Sequence, residues 1–371
     1  MSKIDEMITK HCPDGIEYIP LADLVDYQQP GKFLVKSTAY DDSFATPVLT
    51  AGQTFVLGYT NETEGIYRSN PDSPVVIFDD FTTAFKWVDF PFKAKSSAMK
   101  ILKPKPGIDL RYVWYAMQCL RYSPQDHARQ WIATYSQFKV PFPPLEIQRE
   151  IVRILDTFSK MEAELEAELE ARKQQYEHYR QELLSANSDE DSMSLGEIFE
   201  MRAGTHVKAA EIADDPTETH PYRCFGGNGV RGYVSGYNYD EDVAFIGRQG
   251  ALCGNVHRAQ GKIYATEHAV VVTPKAEVDM AWAFHKLTEM DLNQYKTKSA
   301  QPGLAVGRIK EIVISFPNIQ EQRRIVGLLD KFDALVNDLS NGLPAEIAAR
   351  RQQYEYYRDK LLTFKELEPA S

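Results

Sequence analysis

The stretch Arg172–Arg180, RKQQYEHYR, returns near the end of the chain as Arg350–Arg358, RRQQYEYYR. Seven of the nine positions are identical, a coincidence that chance almost never produces. The chain is therefore built twice. A protein that is built twice is expected to present two equivalent surfaces to something.

The repeat extends over most of the chain. Residues 21–24, LADL, match residues 195–198, LGEI, at a separation of 174, and residues 148–152, QREIV, match 322–326, QRRIV, at the same separation. At the tyrosine-rich stretch the separation is 178, so the second copy holds four extra residues within a helical segment. Four residues are about one helical turn, so the apolar stripe can keep its face on both sides of them. The period is too long for a solenoid and indicates a duplicated globular unit followed by a helix.

Composition places the chain among ordinary globular proteins. Its 371 residues suggest two or three domains, with 26% charged and 43% hydrophobic residues. The sequence predicts no membrane span and no apolar signal core. Four widely spaced cysteines without a C-x-x-C pair suit reduced thiols and predict a cytoplasmic location. The net charge of −11 counts mildly against simple nucleic-acid binding, for which a basic balance is expected.

Two globular units and two helical segments alternate along the chain. Short apolar runs such as residues 74–78 and 98–102, broken by Gly, Pro and Asn, predict strands and loops. Residues 187–192, NSDEDS, have the composition of a polar linker. The predicted segments are a first globular unit at 1–143, a helix at 144–187, a second globular unit at 188–317 and a second helical segment at 318–371.

Each helical segment carries apolar residues at steps of three or four, which make one stripe. No Gly or Pro occurs from Leu145 to Ser185, and about 40 residues at 1.5 Å each predict a helix of roughly 60 Å. In the second segment Gly342 and Pro344 predict a break near 341–344, because an interior proline costs about 3 kcal/mol. Neither helix can bury its own stripe, so we expect the two to pack antiparallel about a pseudo-twofold axis. The stripe includes Ile151, Leu155, Phe158, Tyr176 and Tyr179 in the first segment and Ile325, Leu329, Phe332, Tyr354 and Tyr357 in the second.

The stretch most similar to a catalytic motif is the G-x-G-x-x-G of Gly227–Gly232. A dinucleotide fingerprint needs a helix directly after it, because the helix N-terminus holds the pyrophosphate. Residues 233–237, YVSGY, are strand-like or turn-like instead. The pattern therefore favours a simple turn.

Other candidate reaction centres are weaker. Cys253, His257 and His268 lie in a glycine-containing loop, and no second Cys/His cluster supports a metal site. Asp79 and Asp80 resemble a nuclease pair, but no Asp/Glu-x-Lys element follows at a suitable distance, and a loop or DNA-facing role is the alternative. P-loop, G-x-S-x-G and amino-methyltransferase motifs are absent from the sequence. We therefore expect no catalytic residue and no bound metal or cofactor.

Binding is the function class that remains. Arg and Lys neutralise phosphates, and Arg, Asn and Gln read base edges by paired hydrogen bonds. Each such residue alone is more typical of an ordinary surface position than of a base contact. The candidate DNA-binding residues are Lys32, Arg68, Lys86 and Lys93 in the first unit and Arg202, Thr205, Lys208, Arg223, Asn228, Arg231, Arg248, Gln249 and Arg258 in the second.

Several motifs together resemble one protein family. They are the opening CPDGIEYIPL at residues 12–21, the unit ends FPPL at 142–145 and FP at 316–317, the helix motifs IVxxLD at 151–156 and IVxLLD at 325–330, the two R-x-QQYE-x-YR stretches, and IGRQG at 246–250, EHA at 267–269 and QPGL at 301–304. On these residues nearly the whole chain resembles the DNA-specificity subunit of type I restriction–modification enzymes.

The resemblance implies an α+β fold with two mixed α/β target-recognition domains in a pseudo-twofold arrangement. Two long antiparallel helices would separate them as a coiled-coil-like spacer. Each domain would read one half of a split site in double-stranded DNA, and the helices would set the half-site spacing and dock two copies of the modification subunit. That partner would bind S-adenosylmethionine and methylate adenine, and a separate restriction subunit would use ATP and Mg. The specificity subunit itself would not be catalytic.

Differences between the two copies of the repeat lead to further predictions. The helical segments differ by four residues, and the loops differ, as at residues 78–81, FDDF, against 246–249, IGRQ. We therefore predict an asymmetric bipartite target. Much of the acidic charge lies on the helices and the linker, so the isolated chain is predicted to bind DNA weakly, with a shallow dependence on salt.

Two other function classes stay open at this point. A helical adaptor that binds only protein would suit the long stripe and the alternating acids, but leaves the duplicated domains with divergent loops unexplained. A self-sufficient DNA enzyme would need the methyltransferase or nuclease motifs that the sequence lacks.

Overall fold

The computed structural model describes residues 3–52, 54–125, 127–185, 191–250, 252–297 and 303–367. Residues 187–190 of the expected linker and residues 301–302 of the QPGL motif lie outside these ranges. The chain divides into two compact units. One is formed by Met1–Glu164 together with Ile347–Ser371, and the other by Leu165–Glu346.

The first unit combines nine strands with helices from both ends of the chain. Its strands are β1 (Tyr18–Pro20), β2 (Val25–Gln28), β3 (Thr46–Leu49), β4 (Val56–Thr60), β5 (Val75–Asp79), β6 (Phe85–Val88), β7 (Lys93–Ala94), β8 (Met99–Pro104) and β9 (Lys139–Pro141). Its helices include α1 (Lys3–His11), α2 (Leu21–Leu24), α3 (Leu110–Gln118) and the first part of α4 (Leu145–Leu184).

An antiparallel sheet in the order β2-β8-β5-β6 lies at the centre of the first unit. Val76 and Phe78 of β5 pack in a core shared with α3 and α4. Val75 and Ile77 pack on the opposite face, against a second sheet in the order β4-β3-β7. Because both faces of β5 are covered, the strand is one continuous apolar run in the sequence rather than an alternating one.

The second unit holds the remaining strands and most of the remaining helices. Its strands are β10 (Asp191–Ser194), β11 (Phe199–Ala203), β12 (Tyr222–Gly226), β13 (Gly229–Val234), β14 (Tyr239–Asp240), β15 (Val243–Gly247), β16 (Val256–Ala259), β17 (Lys262–Ala265), β18 (Ala269–Pro274) and β19 (Val313–Phe316). The helices are α5 (Leu195–Ile198), α6 (Met280–Glu289), α7 (Val306–Lys310) and α8 (Ile319–Asn337), and they are followed by α9 (Leu343–Leu361).

The second unit repeats the topology of the first. Its sheets have the orders β11-β18-β15-β16 and β13-β12-β17-β14, and β10 pairs with β19 as β1 pairs with β9. Individual contacts repeat as well. The buried Gln148 Nε2 donates to the carbonyl of Pro143 at 2.7 Å, and Gln322 Nε2 donates to that of Pro317 at 2.8 Å. The expected α+β class with two similar mixed units is confirmed.

Helix α4 is 40 residues long and contributes to both units. In the first unit it runs antiparallel to α9. The ring of Phe158 stacks on Tyr357 with centroids 5.5 Å apart, and further along α4 Glu162 forms a 2.5 Å ion pair with Arg351, which lies earlier in α9. The tyrosine-rich repeat thus supplies one partner of the helix pairing.

The helical stretch after β19 is interrupted between Asn337 and Leu343. Pro344 therefore lies in the first turn of α9, where its missing N–H has no intrahelical partner to lose. Gly342 packs so closely on the end of α8 that a β-carbon there would lie 2.6 Å from the carbonyl oxygen of Ala334. Within the described ranges, no helix is long and apolar enough to cross a membrane.

Candidate nucleic-acid interface

The stripe of the spacer helices is largely buried by the chain itself. Ile151 and Leu155 are fully buried in the core of the first unit, and Leu329 is equally buried in the second, with Ile325 and Tyr176 nearly so. These five side chains cannot contact a partner subunit in the folded chain. They join each helix to its own globular unit, so the docking surface expected of the spacer helices is not made of these five side chains.

The remaining stripe residues form aromatic contacts at the edges of the cores. Phe158 stacks on Tyr357 in the first unit, and in the second unit Phe332 lies 5.4 Å from Tyr179 between ring centroids. The hydroxyl of Tyr354 donates to Gln118 Oε1 at 2.8 Å. Tyr357 remains 36% exposed, so it is the member of the stripe most accessible to a partner.

Lys93 is not available to DNA. Its side chain is buried, and Nζ lies 2.7 Å from Glu62 Oε2 and 2.7 Å from the carbonyl oxygen of Glu64. The hydrogen bond from Lys93 is the largest cause that lowers the pKa of Glu62, to about 2. Lys93 therefore holds the loop that contains these two glutamates, and its expected role as a DNA contact is corrected.

The other candidates of the first unit are accessible but scattered. Lys32 and Arg68 are exposed, and Lys86 is half-buried on β6 opposite Ile77. Arg68 lines a cleft of about 480 Å³ together with Tyr59 and other side chains from the sheet that contains β3 and β4. The structure does not gather these cations into one site.

Asp79 and Asp80 have structural roles. Asp80 Oδ2 lies 3.0 Å from Lys100 Nζ, both side chains are 1% exposed, and Asp80 Oδ1 accepts the backbone N–H of Trp131 at 2.8 Å. Asp79 Oδ1 accepts the backbone N–H of Thr82 at 2.8 Å and so shapes the turn after β5. Both carboxylates contact groups of the fold itself, which favours the loop interpretation over a nuclease centre.

The G-x-G-x-x-G of Gly227–Gly232 is a hairpin between the antiparallel strands β12 and β13. The predicted turn is confirmed, since a strand rather than a helix follows it. Gly229 has φ +92°, a conformation that favours glycine, and a β-carbon there would lie 3.2 Å from the ring of His257. Among the described side chains, no group of three or more His, Cys, Asp or Glu converges as a metal site.

The hairpin forms one wall of a cleft of about 440 Å³ in the second unit. Three of the predicted DNA-binding residues, Asn228, Arg231 and Gln249, line it, together with His268. The backbone next to Gln249 is held by hydrogen bonds from two sides. The backbone N–H of its neighbour Arg248 donates to the carbonyl of His268 at 2.9 Å, and the carbonyl of Arg248 accepts from Leu304 at 2.8 Å. The cleft therefore brings together residues that lie far apart in the chain.

A carboxylate and two histidines support this cleft. His268 Nδ1 lies 3.0 Å from Gln249 Oε1, and His268 Nε2 lies 3.4 Å from Glu267 Oε1. The same carboxylate oxygen is 2.9 Å from His206 Nδ1. The hydrogen bond with His206 is the largest cause that lowers the pKa of Glu267, and the charges of His268 and His206 add to it. Glu267 therefore stays ionised beside both rings.

Two of the remaining candidates of the second unit form ion pairs with acidic neighbours. Arg258 forms a bidentate contact with Asp242 at 2.9 and 2.6 Å, and Arg202 forms a 2.9 Å contact with Glu200. The guanidinium of Arg223 lies 5.6 Å from the ring of Phe225. The candidates with exposed side chains are Arg202, Thr205, Lys208, Arg223, Asn228, Arg231, Arg248 and Gln249.

Residue-type reasoning omitted Glu267 and His268 from the DNA-binding set. An acidic residue is not an obvious DNA contact, and a lone histidine carries little information. The only signal was the short EHA motif at residues 267–269. His268 contacts Gln249, which is 19 positions away in the chain, and Glu267 contacts His268, so this arrangement is visible only in the folded unit.

Comparison with known proteins agrees with this architecture. The family model described as the type I restriction modification DNA specificity domain matches twice, over residues 13–172 and 187–349. This chain belongs to that family of specificity subunits. As such a subunit it recognises DNA target sequences for a restriction–modification complex and is not itself the catalyst.

Two curated relatives come from Escherichia coli. This specificity subunit is 39% identical to the type I restriction enzyme EcoR124I/EcoR124II specificity subunit over 393 aligned positions. The alignment covers 96% of this chain and 97% of the relative. It is 51% identical over 220 positions to the EcoprrI specificity subunit, over 56% of this chain and 55% of the relative. The second relation is thus stronger but confined to about half of each chain.

Solved structures share the fold. The S subunit of the type I system from M. genitalium aligns with a TM-score of 0.62 at 17% identity, over 94% of this specificity subunit and 96% of that chain. A chain from a study of complex assembly and conformational transition in a type I system aligns with a TM-score of 0.54 at 15% identity, over 94% and 98%. At such identities the likeness concerns the fold alone.

Proposed function

We propose that each unit reads one half of an asymmetric, bipartite DNA site. The supporting observation is that one topology occurs twice with unlike chemistry at equivalent positions. At the end of β5, Asp79 and Asp80 are held by contacts within the fold, whereas directly after β15, Arg248 and Gln249 are exposed beside a cleft. Two similar frameworks with different reading surfaces suit a target of two unlike halves.

The helices α4, α8 and α9 are proposed to set the distance between the half-sites. Helix α4 has 40 residues and so a length of roughly 60 Å, and it contributes to both units. It lacks an interior Gly or Pro, which favours a stiff element over a flexible one. A stiff helix that belongs to both units is a suitable ruler.

The same helices are proposed to dock two copies of a modification subunit, one on each unit. Both units leave apolar side chains exposed on these helices, where a partner could cover them. In the first unit these are Tyr356, at 61%, and Tyr357, at 36%, and in the second they are Leu328, at 37%, and Leu335, at 38%. The proposed partners would bind S-adenosylmethionine and methylate adenine, and a restriction subunit would bind ATP and Mg. The four free cysteines suit a reducing compartment, so the proposed location is the cytoplasm.

The proposed DNA contacts are the exposed candidates of both units, without Lys93. The chain carries a net charge of −11, because acidic residues outnumber its lysines and arginines. Electrostatic attraction between the isolated chain and the DNA phosphates is therefore weak. The partner subunits would supply most phosphate contacts, and this subunit would supply the base contacts that specify sequence. Weak binding of DNA by the isolated chain, with a shallow dependence on salt, is the expected consequence.

Co-expression with the modification subunit of the same system, followed by methylome sequencing of host DNA, tests the proposal. The expected result is methylated adenine in a split motif whose two halves differ. A parallel culture with a catalytically inactive modification subunit gives the background. A palindromic motif would contradict the asymmetric reading, and a stable complex that methylates no defined motif would contradict DNA reading altogether.

A further inference from the structure

The cleft beside the β12–β13 hairpin presents hydrogen-bond donors to the outside. Gln249 Oε1 is engaged by His268 Nδ1 at 3.0 Å, which leaves the NH2 of that amide to face away. Asn228 is arranged in the same way, since its Oδ1 accepts from Asn255 Nδ2 at 3.1 Å. In both amides the acceptor is used within the protein and the donor is left for a ligand.

Arg231 adds further donors to the same cleft. A guanidinium has five N–H donors and no acceptor. Within the described residues, its side chain has no ion pair or hydrogen bond that would occupy those donors. Of the side chains that line the cleft, Asn228, Arg231 and Gln249 therefore offer N–H groups.

The ring of His268 keeps the amide of Gln249 in this orientation. The ring of His268 lies between the two groups, since Nε2 is 3.4 Å from Glu267 Oε1 and Nδ1 is 3.0 Å from Gln249 Oε1. With its hydrogen on Nδ1 the ring donates to Gln249 Oε1, which turns the NH2 of that amide outward. If Nδ1 lost its proton, the Gln249 amide would have to turn and present its oxygen instead. Glu267 and His268 are thus positioning residues for Gln249.

Base edges in the major groove differ in how many donors they carry. Guanine presents two neighbouring acceptors, N7 and O6, whereas adenine presents one acceptor and one donor, and cytosine presents a donor. An amide pairs with adenine in a bidentate manner only if its oxygen and its NH2 both face the base, and the oxygens of Gln249 and Asn228 face His268 and Asn255 instead. The donors of the cleft complement guanine.

A backbone phosphate is also an acceptor-only group, but the cleft suits it less well. The ionised Glu267 lies behind His268, and its Oε2 is buried without a hydrogen-bond partner among the described residues. A carboxylate at this place does not favour a second anion nearby. Two of the three donor side chains are neutral amides, which do not neutralise a phosphate.

We propose that this cleft reads a guanine in the half-site of the second unit, with Gln249 as the base-contacting residue, oriented by His268 and Glu267. The proposal rests on the function proposed above and adds a base and a residue to it. Arg231 and Asn228 supply the adjoining donors.

The test uses the assembled complex of this chain with its modification subunit and a plasmid library in which both half-sites are randomised. Methylated molecules are sequenced for the wild-type chain and for each variant. Gln249→Glu replaces donors with acceptors at nearly constant shape, so preference at one position should move from guanine to a base that presents a donor, cytosine or adenine. The discrimination should change by about tenfold or more, as for a good base contact.

Glu267→Gln should relax the same position while both the other half-site and the spacing stay unchanged. Glu267→Asp, which keeps the charge, should restore part of the preference. Gln320→Glu is the matched control, because Gln320 is an exposed amide on α8 outside the cleft, and it should leave every position unchanged. Thermal unfolding and complex formation are measured for all variants to separate specificity from folding.

Several outcomes would overturn the proposal. One is a wild-type consensus without guanine in the half-site of the second unit, and another is an unchanged consensus for Gln249→Glu. A uniform loss of methylation across sequences with a smaller salt slope would assign the cleft to a phosphate. If the wild-type complex yields no split motif, the proposed function fails. If it yields one that Gln249→Glu does not alter, only the present inference fails.

Discussion

The hydroxyl of Tyr115 donates a hydrogen bond of 2.6 Å to Oδ1 of Asp156. Tyr115 lies on α3 and Asp156 on α4, so the bond joins the recognition unit to its helix. In the second unit Asp330 occupies the matching position of α8 and lies 3.1 Å from Nε2 of His285 on α6. An acidic residue on the helix is kept, whereas its partner changes from a phenol to an imidazole.

Replacing Asp156 should loosen the first unit. Asp156→Ala removes the bond to Tyr115 and a 2.7 Å contact with Arg111, whose guanidinium lies 4.5 Å from the ring of Trp114. We expect a loss of about 1–3 kcal/mol in the free energy of unfolding, because a buried hydroxyl and a partly buried cation lose their acceptor. Urea denaturation measures the change. Asp42→Ala, at an exposed position, should cost less than about 0.5 kcal/mol, and equal losses in the two variants would contradict the role of Asp156.

Stability of the second unit should depend on pH through His285. Burial is the main cause that lowers the pKa of His285, against the opposing effect of Asp330. In the unfolded chain a histidine titrates near its ordinary value of about 6.5, so below that pH the unfolded state binds more protons than the folded state. Stability is therefore lost as the pH falls from about 6.5 towards the lower folded pKa, by at most about 1.4 kcal/mol per pH unit for one group.

The measurement is the unfolding free energy between pH 7 and pH 5 for the wild type and for His285→Gln. The variant should show a smaller decrease on acidification, because it removes the group that gains a proton on unfolding. His178→Gln, at an exposed histidine of the same unit, serves as the control and should keep the wild-type slope. Identical slopes for the wild type and His285→Gln would exclude this source of pH dependence.

The buried pair of Lys100 and Asp80 should be sensitive to the loss of one partner. Lys100→Met leaves the carboxylate of Asp80 buried and without its cation, at a cost of about 3–5 kcal/mol. Lys86→Met on β6, where the side chain is only half-buried, should cost far less. Chemical denaturation compares the two variants. A Lys100→Met variant as stable as Lys86→Met would show that the pair contributes little to the fold.

Lengthening α4 should change the distance between half-sites and leave their sequences intact. Four residues inserted after Glu166 add about one turn, or roughly 6 Å, while the apolar stripe keeps its face. Methylome sequencing of the assembled complex should give the two wild-type half-sites with a longer spacer. An insertion of two residues turns the stripe to another side of the helix and should reduce methylation instead. A changed half-site sequence after the four-residue insertion would contradict the ruler.

Sequence patterns predicted the fold well where the signal was periodic or repeated. The 174-residue repeat predicted two similar units, and the run from Leu145 to Ser185 without Gly or Pro predicted α4, which is helical over Leu145–Leu184. Gly342 and Pro344 pointed to the interruption between α8 and α9. These features depend on local backbone preference and on spacing along the chain, which the order of residues contains directly.

The candidate site was predicted less well, because residue type does not report what a side chain meets. Lys93 has the chemistry of a phosphate contact, yet Glu62 and the Glu64 carbonyl occupy its ammonium inside the fold. Gln249 has the chemistry of an adenine reader, yet His268 occupies its oxygen. A pairing between distant residues cannot be inferred from either residue alone.

The sequence by itself determined the duplication, the long helix, the apolar stripes and the family. Repeats, helical periodicity and motif spacing are properties of the linear order. Only the tertiary structure decided which surface covers each stripe and which donors remain free at the cleft of Asn228, Arg231 and Gln249. The physical reason is that burial and hydrogen-bond pairing are properties of neighbours in space, and the packing of the sheets sets those neighbours after the local elements have formed.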